Sequence, residues 1–272
     1  MIRKILSALF ISACLPEMAA AQQTPFTEQL YTGTGAYSQS QADLFSGFQQ
    51  IAALASLKVP AAGVTGLRPY LLSELSRYQI QAAFPVPSGV MGLKADLRGN
   101  TGYREQQAGL SYARNLGAKL ATGLCFTYNR IRIDGYGQAA IPGVEAGLLL
   151  NVTNQLHAGL QVINPVSGKW GIGKKEKLPA VFVFGFGYEA SSVFYCSAEI
   201  IKEEEQSASV NVSFQYQPVT RLLLRAGMGT GNSVTWAGAG FQLSRCRFDL
   251  FVSFHPQLGF TPGTAILFQL KK

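Results

Sequence analysis

A glycine- and lysine-rich stretch is the first part of the sequence whose spacing could support chemistry. Residues 168–175 read GKWGIGKK, which has the glycine and lysine spacing of a phosphate-binding loop. Such a loop needs Ser or Thr after its last lysine as a magnesium ligand, and here Lys175 follows Lys174. The stretch therefore does not predict nucleotide binding.

The histidines and cysteines also lack the spacing of a catalytic or metal site. His157 and His255 are far apart, neither belongs to an H-E-x-x-H pattern, and the cysteines form no C-x-x-C pair. We therefore predict no enzyme activity, no metal, no other cofactor and no disulfide framework. A hydrolase built from Ser, His and an acid stays an open alternative, because spacing does not show which residues meet in space. His157 falls on the inward-facing positions of its alternating segment and could pair with a carboxylate in the lumen.

The N-terminus predicts export. A basic start, MIRK, precedes a largely apolar stretch at 5–15, and the AAA at 19–21 has the small-x-small form of a signal-peptidase site. We predict a signal peptide over 1–21, cleaved between Ala21 and Gln22. The alternative is that ISAC at 11–14 is a lipobox, which would make Cys14 a lipidated N-terminus.

The composition indicates a protein whose outer surface is apolar. Of 272 residues, 47% are hydrophobic and 14% are charged, whereas soluble domains use about a quarter of their residues as charged side chains. The chain has 29 glycines, which disfavours a helical bundle. No apolar run after the N-terminus reaches the ~20 residues that a membrane-spanning helix needs. A membrane protein with this sequence is therefore a β-barrel.

Apolar and polar residues alternate along most of the remaining chain. Over 208–216, for example, Val210, Val212 and Phe214 alternate with polar residues. This period of two predicts strands with one buried face, and most are near the ~9–11 residues that cross a bilayer. We predict an all-β fold, a transmembrane antiparallel up-and-down β-barrel of about 14 strands. The strands are predicted near 61–69, 78–85, 90–98, 103–114, 118–133, 144–152, 156–163, 180–188, 193–201, 208–216, 221–228, 233–243, 246–254 and 263–270.

One of these strands changes parity along its length. The alternation in 118–133 slips near Asn129 and Arg130. Such a slip indicates either a β-bulge at these two residues or a strand that projects beyond the membrane.

The connections between the predicted strands alternate in length. Tight turns follow every second strand, whereas the links 134–143, 164–179 and 255–262 are long. Short periplasmic turns and long extracellular loops are typical of outer-membrane barrels, and both termini then lie in the periplasm. Outward aromatic residues beside the tight turns would form a girdle at the membrane interface. They are Phe84, Tyr112, Tyr188, Phe194, Tyr216 and Phe248. A secreted β-sandwich or soluble β-barrel would alternate for the same reason and is the alternative.

The inward face of the predicted barrel carries charges of both signs. They are Lys94, Asp96, Arg98, Glu105, Lys119, Glu145, Glu199, Arg221, Arg225, Arg247 and Asp249. Near balance of charge indicates internal ion pairs or a polar lining around a plug, rather than an ion-selective pore. Simple solvation in a water-filled lumen is the alternative.

The residues before the first strand are predicted to form a separate part of the molecule. We divide the chain into the signal peptide, a plug or hatch segment over 22–60 and the barrel over 61–272. Apolar positions between Ala42 and Leu57 have the spacing of a short amphipathic helix. A fourteen-strand barrel encloses more space than its side chains fill, so we expect 22–60 to plug it. A disordered or surface-lying periplasmic arm is the alternative.

Several loose motifs resemble one group of outer-membrane proteins. They are LLSELSRY at 71–78, SYARNL at 111–116, GYG at 135–137 and VINP at 162–165. In this order, after an Ala-rich N-terminal segment, they resemble the PorV/PorQ-type proteins of Bacteroidota, within the broader FadL-like barrels. The resemblance implies a fourteen-stranded barrel with an N-terminal hatch, acting in type IX secretion or in uptake of hydrophobic compounds.

These patterns together predict a non-enzymatic protein of the bacterial outer membrane that transports hydrophobic or small solutes. The alternative is a PorV/PorQ-like accessory role in type IX secretion, through contacts with secretion machinery or secreted proteins. We expect contact with outer-membrane lipid and lipopolysaccharide, and no nucleic-acid partner. The basic loop that carries Lys169, Lys174, Lys175 and Lys177 is a candidate for meeting the lipopolysaccharide.

Overall fold

The computed structural model describes Tyr31 and residues 33–165, 169–170, 176–231 and 233–270 of the chain. The predicted cleavage site at Ala21 and Gln22, the alternative lipid site at Cys14 and most of the 168–175 stretch lie outside these residues. The corresponding expectations therefore stay predictions.

Within the described residues the chain forms sixteen strands. They are β1 Ala61–Leu67, β2 Arg77–Val86, β3 Gly89–Gly99, β4 Tyr103–Leu116, β5 Leu120–Ile133, β6 Gly137–Asn151, β7 Leu156–Ile163, β8 Lys169–Trp170, β9 Glu176–Lys177, β10 Val181–Glu189, β11 Phe194–Glu203, β12 Ser209–Val219, β13 Leu222–Gly229, β14 Val234–Leu243, β15 Cys246–His255 and β16 Gly259–Gln269. Fourteen of them close into one antiparallel barrel, in which β1 pairs with β16. The other two, β8 and β9, form a small hairpin in the connection between β7 and β10. The predicted fold class is confirmed.

Two of the three connections that were predicted to be long are mostly strand. β6 begins at Gly137 and pairs with β5 as far as Ile133, and β16 begins at Gly259 and pairs with His255 of β15. The predicted loops at 134–143 and 255–262 are therefore wrong. Main-chain pairing continues beyond the apolar band, where neither face of a strand meets lipid and the alternation of side chains fades.

The change of parity in β5 has a different origin from the predicted bulge. β5 pairs with β4 and β6 without interruption along its whole length. Asn129 and Ile131 are both 5% exposed, whereas Arg130 and Arg132 lie on the more exposed side. The bulge at Asn129–Arg130 is therefore wrong. The strand projects beyond the apolar band, so polar residues occur on its outer face.

Large apolar side chains cover the outer face of the barrel. Phe126, Ile80 and Leu250 are 62%, 60% and 58% exposed, and all six residues of the predicted aromatic girdle are exposed as well. An apolar surface of this extent is unfavourable in water and matches the lipid-facing band of an outer-membrane barrel. The fold is therefore that of an outer-membrane protein.

Most of the described N-terminal residues, Tyr31 and 33–60, pack against the inner face of the barrel, and this segment is called the plug below. The plug contains a short helix, α1 Leu44–Gln49, and a 3₁₀ helix, Ile51–Ser56, instead of one amphipathic helix. Gln50 separates them with an extended backbone, φ −119° and ψ 103°. Its side chain accepts a hydrogen bond from the backbone of Ala52 and donates to the carbonyl of Leu148 in β6. None of the helices in the described part of the chain has the length and hydropathy to cross a membrane.

The apolar side of the plug packs against small inward residues of the barrel. Its buried members are Leu44, Phe45, Phe48, Ile51, Leu54 and Leu57. They cluster with alanines at 61, 83, 113 and 265 of the wall. A Cβ atom on Gly63 would lie 2.7 Å from the ring of Phe45, and one on Gly92 would lie 2.9 Å from Phe48. The barrel wall therefore carries its smallest residues where the plug needs room.

The lipid-facing band can be tested with one substitution at two positions. Leu250 lies near the middle of β15 and Leu258 in the turn after it, at 58% and 51% exposure. We expect Leu250→Arg to lower the free energy of unfolding in lipid vesicles by about 2–4 kcal/mol, because arginine near the bilayer midplane is costly. The matched Leu258→Arg should change it by less than about 1 kcal/mol. Urea unfolding followed by tryptophan fluorescence measures both values. Equal effects would indicate a barrel that is not embedded in lipid.

Candidate functional site

A buried ion-pair cluster joins the plug to the barrel wall. Oδ2 of Asp43 accepts hydrogen bonds from Nη2 of Arg225 at 2.8 Å and from Nη2 of Arg247 at 2.6 Å. Arg247 also donates to Asp249 at 2.9 Å. The other carboxylate oxygen of Asp43 accepts from the backbone N–H of Ser46 at 2.8 Å, which caps α1. One carboxylate thus holds the start of a helix against both β13 and β15.

These contacts keep Asp43 ionised inside the lumen. Burial alone would raise the pKa of its carboxyl group, but Arg247 and Arg225 outweigh burial and hold the pKa well below its usual value of 3.8. A carboxyl group whose pKa is lower in the folded state than in the unfolded state stabilises the fold at any pH above its unfolded-state pKa. That stability is lost as the pH falls toward the folded-state pKa. The ion pairs therefore stabilise the seated plug at neutral pH and fail only in acid.

A second carboxylate holds the chain just before Asp43. Glu189, at the end of β10, accepts hydrogen bonds from the hydroxyl of Ser38 at 2.6 Å and from the hydroxyl of Ser40 at 2.7 Å. Nε2 of His157 lies 3.3 Å from Glu189 Oε1, and its Nδ1 lies 2.8 Å from Oδ1 of Asn151. His157 thus lies close to a carboxylate, but its Nε2 has no hydrogen-bond partner among the described residues, so the pairing stays a prediction.

A groove of glycines on the barrel wall receives the ring of Tyr37. Gly159 of β7 and Gly185 of β10 face this ring, and a Cβ atom on Gly159 would lie 2.6 Å from it. Gly187 of β10 faces the backbone oxygen and Cβ of Tyr37. The Tyr37 hydroxyl donates to Oε2 of Glu199 at 3.0 Å. Burial and the charge of Glu199 raise the pKa of Tyr37, which keeps the phenol neutral as a donor.

The start of the plug packs on aromatic residues of the wall. The ring of Tyr31 stacks on Phe251 with centroids 4.3 Å apart and meets Trp236 edge-on at 5.6 Å. The guanidinium carbon of Arg225 lies 5.4 Å from the same ring. Burial raises the pKa of Tyr31 to about 12. Tyr31 therefore links the aromatic residues to the Asp43 cluster, and Trp236 can report on the seating of the plug.

A cavity lies between the plug and the end of the barrel that carries the long connections. Phe48 and Gln49 of the plug line one side of it. Its other walls differ in character. The polar wall includes Arg77, Gln79, Gln81, Lys94, Asp96 and Glu145. The apolar wall consists of Ile163, Leu178, Val181, Val183 and Ile201.

The charges on the polar wall are paired with one another. Arg77 and Asp96 approach to 2.8 Å, and Lys94 and Glu145 approach to 2.6 Å. The cavity that they border measures about 60 Å³. This is well below the ~150 Å³ of a cavity known to admit benzene. With the plug seated, this cavity therefore does not hold a molecule the size of an aromatic ring.

The lumen-facing residues named from the sequence occupy three environments. Those that are buried are Asp96, Glu105, Glu145, Arg225, Arg247 and Asp249. Lys94, Arg98 and Glu199 are half-buried, and Arg98 lies 3.8 Å from Glu105. Arg221 and Lys119 are exposed in turns, so these two do not belong to the buried network.

Sequence reasoning did not identify the plug residues that hold the network. Asp43 and Tyr37 of the plug were not among the candidates, and neither was Glu189 of β10, which binds the plug. Asp43 carried one recognisable signal, because an Asp three residues before Ser46 and next to an apolar run is a helix-capping pattern. The structure shows both halves of that capping box.

Comparisons with known proteins show the fold. No protein-family model and no curated protein matches the chain. Among solved structures, the CymD monoaromatic hydrocarbon channel aligns with a TM-score of 0.63 and 11% identity, over 89% of this chain and 99% of that one. The Ralstonia pickettii toluene transporter TbuX gives 0.60 and 9%, over 84% and 94%. A Pseudomonas aeruginosa FadL homologue gives 0.56 and 11%, over 84% and 93%. The chain thus has the fold of FadL-like barrels, and the narrower PorV/PorQ resemblance stays a prediction.

We expect Asp43→Asn to release the plug and leave the barrel folded. The substitution leaves Arg225 and Arg247 buried with one charged partner fewer, which costs about 3–5 kcal/mol. Amides of 44–56 should then exchange hydrogen at least about a hundredfold faster in detergent micelles, as measured by mass spectrometry. Asp134→Asn, in the exposed turn after β5, is the control. Unchanged exchange in 44–56, or equal loss of protection in the strands, would contradict the assignment.

The acid dependence of the plug can be followed at Trp236. In a Trp170→Phe chain, Trp236 is the one remaining tryptophan, and it is 5% exposed. We expect its emission to stay blue-shifted from neutral pH down to about pH 4 and to shift to the red below it, as Asp43 becomes protonated. Asp43→Asn should be red-shifted throughout. A wild-type transition centred near neutral pH would show that another group controls the plug.

Proposed function

We propose that this protein is a gated outer-membrane channel for small hydrophobic solutes. The observation that carries the proposal is a lipid-facing barrel whose lumen is occupied by its own N-terminal segment. The barrels of the CymD hydrocarbon channel and of the TbuX toluene transporter share this fold. Their low identity to this chain supports the proposal through architecture alone.

The contacts of the plug suit a gate with two positions. The plug is held by separate polar contacts, at Asp43, at Tyr37 and at Ser38 with Ser40, each to a different part of the wall. When these contacts break, water can solvate the charged groups that they release. The free energy needed to release the plug is therefore limited. A solute that enters from the long-connection end first meets the cavity with the apolar wall. The cavity beside the seated plug does not hold an aromatic ring, so we expect passage to require movement of the plug.

The alternative role in type IX secretion is not favoured. The neighbours in structure are described as channels and transporters, and the PorV/PorQ-like role rested on loose motifs. We therefore do not develop this second function.

Uptake measurements test the proposed function. Cells that carry the protein in their outer membrane should take up radiolabelled toluene faster than cells with an empty vector. Removal of residues 31–57, which include most of the plug, should also admit a small hydrophilic sugar that the wild-type barrel excludes, because the lumen then stays open. Asp43→Asn provides the same test should the shortened chain fail to insert. Toluene uptake at the empty-vector rate, from a barrel shown to be inserted by heat-modifiable migration in gels, would contradict the proposal.

A further inference from the structure

Two buried oxygen atoms at the cavity have no hydrogen-bond partner among the described residues. They are Oε1 of Gln81 and Oδ1 of Asn164, and both residues line the cavity between the plug and the long connections. Gln81 is 3% exposed, so its amide is not a surface group. Buried acceptors are paired in most proteins, and an unpaired one is costly. Two of them at one cavity indicate a place where a ligand would supply a donor.

The neighbouring amides of the same cavity are already bonded. Gln79 donates to Asp96, and Gln107 donates to Asn129. The amide of Gln161 accepts from one backbone N–H of the plug and donates to one of its carbonyls. Among the described amides that line the cavity, Gln81 and Asn164 are the ones whose side-chain oxygens are both buried and unpaired. This distinguishes the two residues from the other amides that surround them.

The charge of the cavity argues for a neutral ligand. Arg77 is paired with Asp96, and Lys94 is paired with Glu145, at distances of 2.8 and 2.6 Å. A carboxylate ligand would have to compete with these two acids, and an ammonium ligand with these two bases. A neutral hydrogen-bonding group meets neither cost.

The opposite wall defines the rest of the ligand. Ile163, Leu178, Val181, Val183 and Ile201 offer only carbon atoms to a side of the cavity facing the amides. When the plug moves and takes Phe48 and Gln49 with it, an apolar body would bury its surface there. The combination suits a molecule with an apolar body and one uncharged polar group.

We infer that this cavity selects hydrophobic solutes that carry a neutral hydroxyl group, such as phenols and alcohols. A side-chain amide presents an oxygen acceptor and an NH₂ donor, and a hydroxyl can bond to either. A hydrocarbon that displaces water from Gln81 and Asn164 leaves their oxygens unpaired, whereas a hydroxyl replaces the water. A phenol stays uncharged at neutral pH because its pKa is about 10. The cavity of about 60 Å³ exceeds the ~10–15 Å³ that one water needs, so a hydroxyl end fits before the plug moves. This inference rests on the proposed function.

Two probes of the same shape test the selectivity. p-Cresol and p-xylene differ by a hydroxyl in place of a methyl group. In cells that carry the wild-type protein, half-saturation of uptake should occur at a roughly tenfold lower concentration for p-cresol than for p-xylene. Gln81→Leu should bring the two values together, because it removes both the acceptor that p-cresol uses and the unpaired oxygen that p-xylene leaves.

Further variants separate the amide from its surroundings. Gln81→Asn keeps an amide and should retain part of the preference for p-cresol. Asn164→Gly should lower the preference and is chosen because Asn164 has a left-handed backbone, φ 51°, which glycine accepts. Gln257→Leu, in the turn between β15 and β16, is the matched control and should keep the wild-type preference.

The outcomes separate the inference from the function on which it rests. Faster uptake of p-xylene than in empty-vector cells, with no preference for p-cresol or with the same preference in Gln81→Leu, would overturn the inference and leave the channel intact. Uptake of both probes at the empty-vector rate would overturn both. Should Gln81→Leu fail to insert, as judged by heat-modifiable migration, Asn164→Gly decides the question in the same way.

Discussion

The ion pairs of Asp43 with Arg225 and Arg247 connect the two parts of this molecule. Lipid on the outside requires an apolar outer face, and the period of a strand then turns every second residue into the lumen. Charges in the lumen are stable only when they are paired, and a barrel of this width leaves space that strand side chains do not fill. The plug meets both requirements at once. It fills the space with Phe45 and Phe48 and brings to β13 and β15 the carboxylate that their arginines need.

Much of the fold could be predicted because a strand that faces lipid on one side must alternate apolar and polar residues. The fourteen barrel strands, their antiparallel order and the exposed aromatic residues all follow from which face meets lipid. Prediction failed where that constraint ends. Beyond the apolar band, β6 and β16 continue through main-chain pairing that carries no side-chain period, so their first residues were taken for loops. The same change of environment, and not a bulge, produced the slip of parity at Asn129.

The lumen was predictable only in part, for a related reason. Alternation identifies which charges face inward, such as Asp96 and Glu145, but it does not identify their partners. Asp43 meets Arg225 and Arg247 across separations of 182 and 204 residues, and closure of the barrel alone brings them together. The fit of Tyr37 against Gly159, and the unpaired oxygens of Gln81 and Asn164, depend on the shape of the filled lumen. No local pattern in the sequence encodes them.

Movement of the plug is the central requirement of the proposed channel, and a reversible lock tests it most directly. Ser40 of the plug and Ser192 of the wall line the same space at the short-turn end of the barrel. Cysteines at these two positions, joined by a short linker that contains a disulfide, would hold the plug in its seat. We predict that toluene uptake falls to the empty-vector rate when the link forms and recovers when a reductant cleaves it, whereas neither single cysteine lowers uptake to that rate. Uptake that continues at the unlinked rate through a fully linked protein would contradict a channel gated by its plug.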